Sequence, residues 1–184
     1  MVSDSKSILW YVLFASGGKA AKISDYLKTT NIEYFFPVCY KEKRIRNSQL
    51  TSYVLQPLIE NLVFVKSSRE CLEPHLQKIK QQFGITSDLY YRDLGSRERI
   101  VVPDTQMQNF ILVASCTKGR TTYLSNEELD LERGTKIRII GGVFEGVEGI
   151  FMKIKGNSQV VVSLPNLFSV ATAFIPTRFI LPLE

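Results

Sequence analysis

Helical spacing of apolar residues stops at residue 115, and from residue 132 onward only strand-length pieces remain. This change of period limits the fold more than any other feature. Before it, "ILWYVLFA" (8–15) is an apolar, aromatic run followed by turn-prone Ser16-Gly17-Gly18, which predicts a buried strand. "KAAKISDYLKTT" places Ala20, Ile23 and Leu27 on one helical face, with Lys19, Lys22 and Lys28 elsewhere around it. "IEYFFPVCYKEK" reads as a second strand running into the charged stretch Lys41 to Arg46. "TSYVLQPLIENLVFVKS" reads as strand, break at Pro57, strand. "ECLEPHLQKIKQQFG" aligns Leu72, Leu76, Ile79 and Phe83 and stops at Gly84. "RIVVP" is a short strand. "DTQMQNFILVAS" is a helix opened by Asp104 that aligns Met107, Phe110, Ile111 and Ala114. Strands interleaved with helices in this order predict an α+β layer, helices packed on a mostly antiparallel sheet.

Residues 116–131 are polar and aperiodic and read as a linker. Beyond them "TKIRII" alternates Lys136 and Arg138 outward with Ile137 and Ile139 inward. "GIFMKI", the turn "KGNS", "QVVVSL", "SVATAF" and "RFIL" follow. Five short strands leave two raw edges unless they close, so a small all-β barrel is expected. The expected division is therefore 1–115, linker 116–131, and 132–184. Within the last part, "RIIGGVFEGVEGIF" (138–151) sets four glycines among apolar residues. Gly141 and Gly142 suit a turn between the first two strands. Gly146 and Gly149 suit a second bend and a close backbone approach. Phe144 is either a lid on the barrel end or a side chain offered to a partner.

No apolar run approaches the ~20 residues of a membrane span, and "MVSDSKS" lacks the plan of a secretory signal. The expectation is a soluble, cytoplasmic protein with no membrane contact. Cys39, Cys71 and Cys116 are scattered, and His75 is the single histidine, so neither a disulfide framework nor a zinc site is expected; the thiols read as free and buried or half-buried. The same scarcity leaves no general base, nucleophile or metal set, and His75 reads as a helix-surface residue. Gly17-Gly18-Lys19 falls short of a phosphate loop, because Val12 stands at the first glycine position and Ala20 replaces the hydroxyl. No catalytic residue, metal or cofactor is expected.

The net charge of +5 is uneven: residues 1–115 carry 15 Lys/Arg against 11 Asp/Glu, and residues 116–184 carry 8 against 7. The basic run "KEKRIR" (41–46) is either a solvated hairpin tip or a contact for a phosphate backbone. Tyr11, Phe14, Tyr34, Phe36, Leu62 and Phe64 exceed what one side of a small sheet needs. They are either all core or partly an exposed patch for a protein partner.

Three stretches taken together resemble a known family. "WYVLFA" (10–15) resembles the opening strand of the NusG N-terminal (NGN) domain. "QPLIENLVFVKS" (56–67) resembles its central segment. "RGTKIRIIGGVFEGVEGIFMKI" (133–154) resembles the KOW motif of an SH3-like barrel. The chain is thus identified as similar, over nearly its whole length, to NusG/RfaH-type transcription elongation and antitermination factors. It looks closest to the UpxY-like antiterminators of capsular-polysaccharide operons.

The resemblance implies a non-catalytic, monomeric regulator whose NGN domain docks on the clamp helices of the RNA polymerase β′ subunit. By position, the docking pocket would use Val12, Phe14, Ile59, Leu62 and Phe64. Contact with the non-template DNA strand would use Ser16, Lys19, Lys22, Tyr26, Lys43, Arg44 and Arg46. The KOW loop with Gly142, Phe144, Gly146 and Gly149 would meet a ribosomal protein or a termination factor. The chain departs from the family with Glu60 for a usual proline and Leu62 for a usual tyrosine. A His-Thr-Thr-like stretch has no match near Glu73-Pro74-His75. A housekeeping NusG and an RNA- or ribosome-binding module are the alternatives.

Overall fold

The strand and helix signals resolve into thirteen strands and three α-helices in a computed structural model, which describes residues 6–15, 17–44, 51–84, 87–89, 100–115, 122–124, 134–154, 157–164, 167–172 and 175–183. The chain divides into two compact units, Met1–Pro37 with Pro57–Asp104, and Val38–Gln56 with Thr105–Glu184.

In the first unit, β1 (Leu9–Ala15) lies inside an antiparallel sheet. One of its edges pairs with β5 (Leu62–Ser67), which pairs in turn with β2 (Glu33–Phe35). Its other edge is shared by β6 (Ser87–Leu89) and β7 (Val101–Val102). Trp10 to Leu13 are all buried. A central strand covered on both faces loses the apolar–polar alternation, which is why it reads as a continuous run.

Helices α1 (Ala20–Leu27) and α2 (Arg69–Phe83) cover one face of this sheet. Tyr11, Leu13, Ala15, Val63 and Val65 meet Ala20, Ile23, Leu27, Leu72 and Ile79 in one buried cluster. Each large apolar side chain taken from water there contributes roughly 1.5–3 kcal/mol. α2 starts at Ser68, whose hydroxyl accepts the Cys71 N–H at 3.2 Å. It ends at Gly84, where φ is +57°. A left-handed residue there lets the chain leave the helix, and glycine bears no Cβ penalty for it. Leu72 and Ile79 are buried as expected, whereas Phe83 stays at the rim, 39% exposed.

The second expected strand is cut in two. Pro37 lacks an N–H and restricts Phe36 before it, so no ladder runs through the pair. β2 therefore stops at Phe35, and β3 (Val38–Arg44) pairs instead with β4 (Thr51–Pro57) in a separate two-stranded sheet of the second unit.

α3 (Asp104–Ala114) buries Met107, Phe110, Val113 and Ala114. Its expected capping residue, Asp104, turns its carboxylate to tertiary partners described below.

The C-terminal strands build one sheet in the order β13 (Ile180–Pro182), β9 (Thr135–Ile139), β10 (Glu148–Ile154), β11 (Asn157–Leu164), β12 (Phe168–Ala171) and β8 (Thr122–Leu124). β8 falls inside the span read as a linker; a three-residue strand is too short to show a period. Among the described residues the ladder is an open path from β13 to β8, and the closed barrel expected from the strand count is not formed by these pairings.

Ile137 and Ile139 point inward and Lys136 and Arg138 outward, as the alternation implies. Val160, Val161, Val162 and Leu164 are buried along β11. Two polar pairs lie in this interior, while Gln159 Oε1 on β11 is buried without a hydrogen-bond partner among the described residues. Thr172 Oγ1 accepts the Val160 N–H at 3.0 Å, and Ser163 and Ser169 share a 2.7 Å hydroxyl contact.

The thiols also depart from expectation: Cys39 is half-buried, but Cys71, on the first turn of α2, is exposed. Cys116 lies outside the described residues.

Candidate functional site

The register of β1 against β5 assembles four of the five expected docking residues, all but Ile59. Val12 faces Phe64 and Phe14 faces Leu62 as cross-strand partners. Side chains two apart share a sheet face, so these four lie together, opposite the face held by α1 and α2. Their exposure differs sharply. Val12 and Phe64 are fully buried and Leu62 is 7% exposed, while Phe14 is 36% exposed and Ile59 is half-buried. The accessible part of this face is thus its Phe14 end, while Ile59 lies in the connection between β4 and β5.

The same row carries a polar cluster that sequence reading did not find. Lys66 sits opposite Trp10 on β1 and Glu33 on β2. The Asp104 carboxylate accepts the Trp10 indole N–H at 3.0 Å and the Lys66 ammonium at 2.7 Å. The ammonium also lies 5.7 Å from the Trp10 ring centroid, within cation–π range. The Asp104 contact raises the Lys66 pKa. Lys66, and then the indole N–H, hold the Asp104 carboxyl below its ordinary value.

Of the residues expected to meet DNA, Lys19, Lys22 and Tyr26 share one side of α1, because steps of three and four residues return to the same helix face. Lys22 is exposed, and Lys19 and Tyr26 are half-buried. Lys43 and Arg44 are exposed on β3. Ser16 and Arg46 lie outside the described residues.

In the loop between β9 and β10, Gly142 and Gly146 both have φ of +87°. Phe144 is buried at 4% exposure, and Val143 is the most exposed large apolar side chain of the loop, at 76%. Gly149 sits where an added Cβ would lie 2.5 Å from the Val161 carbonyl oxygen, so the backbones of β10 and β11 approach at a point only glycine fits.

A cleft of about 1000 Å³ opens beside α2 in the first unit. Cys71, His75, Lys78 and Gln82 line it from one helix stripe. Tyr26 and the Thr29–Ile32 connection form the opposite wall, Lys66 and Ser67 lie at the end of β5, and Lys6 and Ile8 enter from before β1. Tyr26 Oη and His75 Nδ1 are 2.8 Å apart. Burial, and then the Lys78 charge, lower the His75 pKa, so the ring is neutral at neutral pH. Burial raises the Tyr26 pKa. These residues come from four separated stretches, and no local spacing marks them as neighbours.

Among the described residues no group of three or more His, Cys, Asp or Glu side chains could hold a metal ion. No helix among them is long and apolar enough to cross a membrane.

An antiparallel sheet flanked by helices, with a paired apolar face, defines an α+β domain. The family model of the transcription termination factor nusG matches residues 9–111, more than half of the chain, and the chain belongs to the NusG family. Proteins of this family are non-catalytic transcription elongation and antitermination factors that bind RNA polymerase. No curated protein matches the chain.

Proposed function

We propose that this chain is a specialised transcription antitermination factor, UpxY-like, that docks on the β′ clamp helices of RNA polymerase and keeps it processive across a polysaccharide-biosynthesis operon. The observation that carries the reading is the shared sheet face of Val12, Phe14, Leu62 and Phe64 inside the segment that matches the family. Docking begins at Phe14, the accessible member of that row. Engaging the buried Val12, Leu62 and Phe64 requires that face to be opened.

Lys19, Lys22 and Tyr26 on α1, and Lys43 and Arg44 on β3, would steady the exposed non-template strand through its phosphates. The same proposal includes an NGN domain over 1–115, a linker over 116–131 and a cytoplasmic, monomeric protein. It also includes a KOW domain over 132–184 whose Gly142–Gly149 loop meets a ribosomal protein or a termination factor.

Phe14→Ala tests the docking. The ring is already partly exposed, so its loss costs little fold stability but removes apolar area from the contact. Recovery of RNA polymerase with the tagged variant should fall about fivefold or more. Recovery equal to that of the unmodified chain would sink the docking surface. Transcript levels along one long operon, against transcripts genome-wide, separate the specialised reading from a housekeeping one.

A further inference from the structure

We propose that the cleft along α2 is a binding site for a compact, multiply charged phosphorylated ligand, of the chemical class of a nucleoside polyphosphate. This inference does not rest on the polymerase reading.

The charge of the cleft is one-sided. Lys6, Lys66 and Lys78 reach it from three different segments, and no Asp or Glu is among its described lining residues. Lys66 is already held by Asp104, so Lys6 and Lys78 carry the charge offered to a ligand. Neither makes an ion pair to a described residue. Ammonium groups are strong point-charge partners for phosphate oxygens.

Neutral donors converge on the same space. Asn31, Gln81 and Gln82 bring amide N–H groups. His75 lines the same space, with its Nδ1 and Tyr26 Oη 2.8 Å apart. Ser68 and Cys71 put the first turn of α2 on the wall, where the helix field also favours an anion.

The shape favours a compact ligand over a strand. The volume lies in the range of small-molecule sites. A strand-binding groove stacks successive bases on successive aromatic rings. Among the described lining residues Tyr26 and His75 carry the rings, their polar atoms are 2.8 Å apart, and the Tyr26 ring is packed edge-on against Phe83 at 6.3 Å. That leaves no row of open rings.

His75 is the chain's single histidine, so its imidazole signals report on the cleft alone. The full chain is titrated with inorganic pyrophosphate, adenosine triphosphate and a single-stranded oligonucleotide at fixed ionic strength, with His75 followed by NMR. Pyrophosphate or the triphosphate should shift His75 saturably. The apparent affinity should drop about tenfold in Lys78→Gln and in Lys6→Gln, the loss of one charge-assisted contact. It should be unchanged in Lys28→Gln, a lysine paired with Asp25 and absent from the cleft lining. Emission of the single tryptophan, Trp10, checks that each variant is folded. The proposal is overturned by the absence of a saturable shift with either small probe. It is equally overturned by the same loss in Lys28→Gln, or by an oligonucleotide that saturates His75 at a lower phosphate concentration than both small probes.

Discussion

Two surfaces of the first unit make opposite use of their residues. The sheet face with Val12 and Phe64 is apolar, in strict cross-strand register, and almost entirely closed to solvent. The cleft along α2 is open and carries lysine ammonium groups on a largely apolar lining, and it is assembled from segments without any common register. Apolar side chains gain by being covered, so a surface made of them is either core or covered by a partner. Ammonium and amide groups lose by being covered without partners, so they remain lining a water-filled concavity. An apolar excess in the sequence thus locates a face but not its accessibility, and scattered lysines locate neither.

The sharpest way to test that contrast is to compare two phenylalanines on the same face. Phe64→Ala removes a fully buried ring. It should lower the unfolding free energy by about 3–5 kcal/mol in urea titration. Phe14→Ala, on the neighbouring strand but 36% exposed, should cost well under half of that. Equal losses would mean that the face is uniformly closed and that Phe14 is not its open end.

On the cleft side the effects are smaller. Tyr26→Phe removes the hydroxyl beside His75 Nδ1 and should cost about 0.5–1.5 kcal/mol. A loss beyond that range would mean that the cleft wall is as tightly determined as the core.

Protonation of His75 offers a further test. Burial and Lys78 lower its pKa in the folded chain below its unfolded value. The unfolded chain therefore takes up this proton first as pH falls. Stability should hold above about pH 6.5, the unfolded value, and decline as pH drops through the lowered folded value. The slope of the urea midpoint against pH should flatten in His75→Gln; an unchanged slope would remove His75 from the effect. Lys78→Gln should leave stability within about 0.5 kcal/mol, since the residue is exposed, while raising the His75 pKa by removing a neighbouring positive charge.

The α+β character was legible because local patterns carried it. Ala20, Ile23 and Leu27 repeat at helical spacing, and Gly84 marks the end of α2 where the left-handed turn is found. The inward–outward alternation of residues 136–139 appears in the strand as read. Pro37 also stood in the sequence, yet the strand was read through it. β8 was hidden in polar residues because three residues carry no period.

The proposed docking residues come from the family resemblance, position by position. Which of them water can reach depends on what packs over the strands, and strand alternation is blind to that. The trio of Trp10, Lys66 and Asp104 spans ninety-four positions between its ends and has no motif.

The amino-acid sequence by itself determined the three helices, the Gly84 stop and the alternation of residues 136–139, because those follow from residue spacing and backbone preference, while membership in the NusG family rests on sequence similarity over residues 9–111. Only the tertiary structure decided that Phe64 is closed while Phe14 is open, that Phe144 lies inside its loop while Val143 lies outside, and that Lys6, Lys78 and His75 face one cleft. Burial and electrostatic neighbourhood are properties of chain segments brought together across long separations, and no local pattern encodes them.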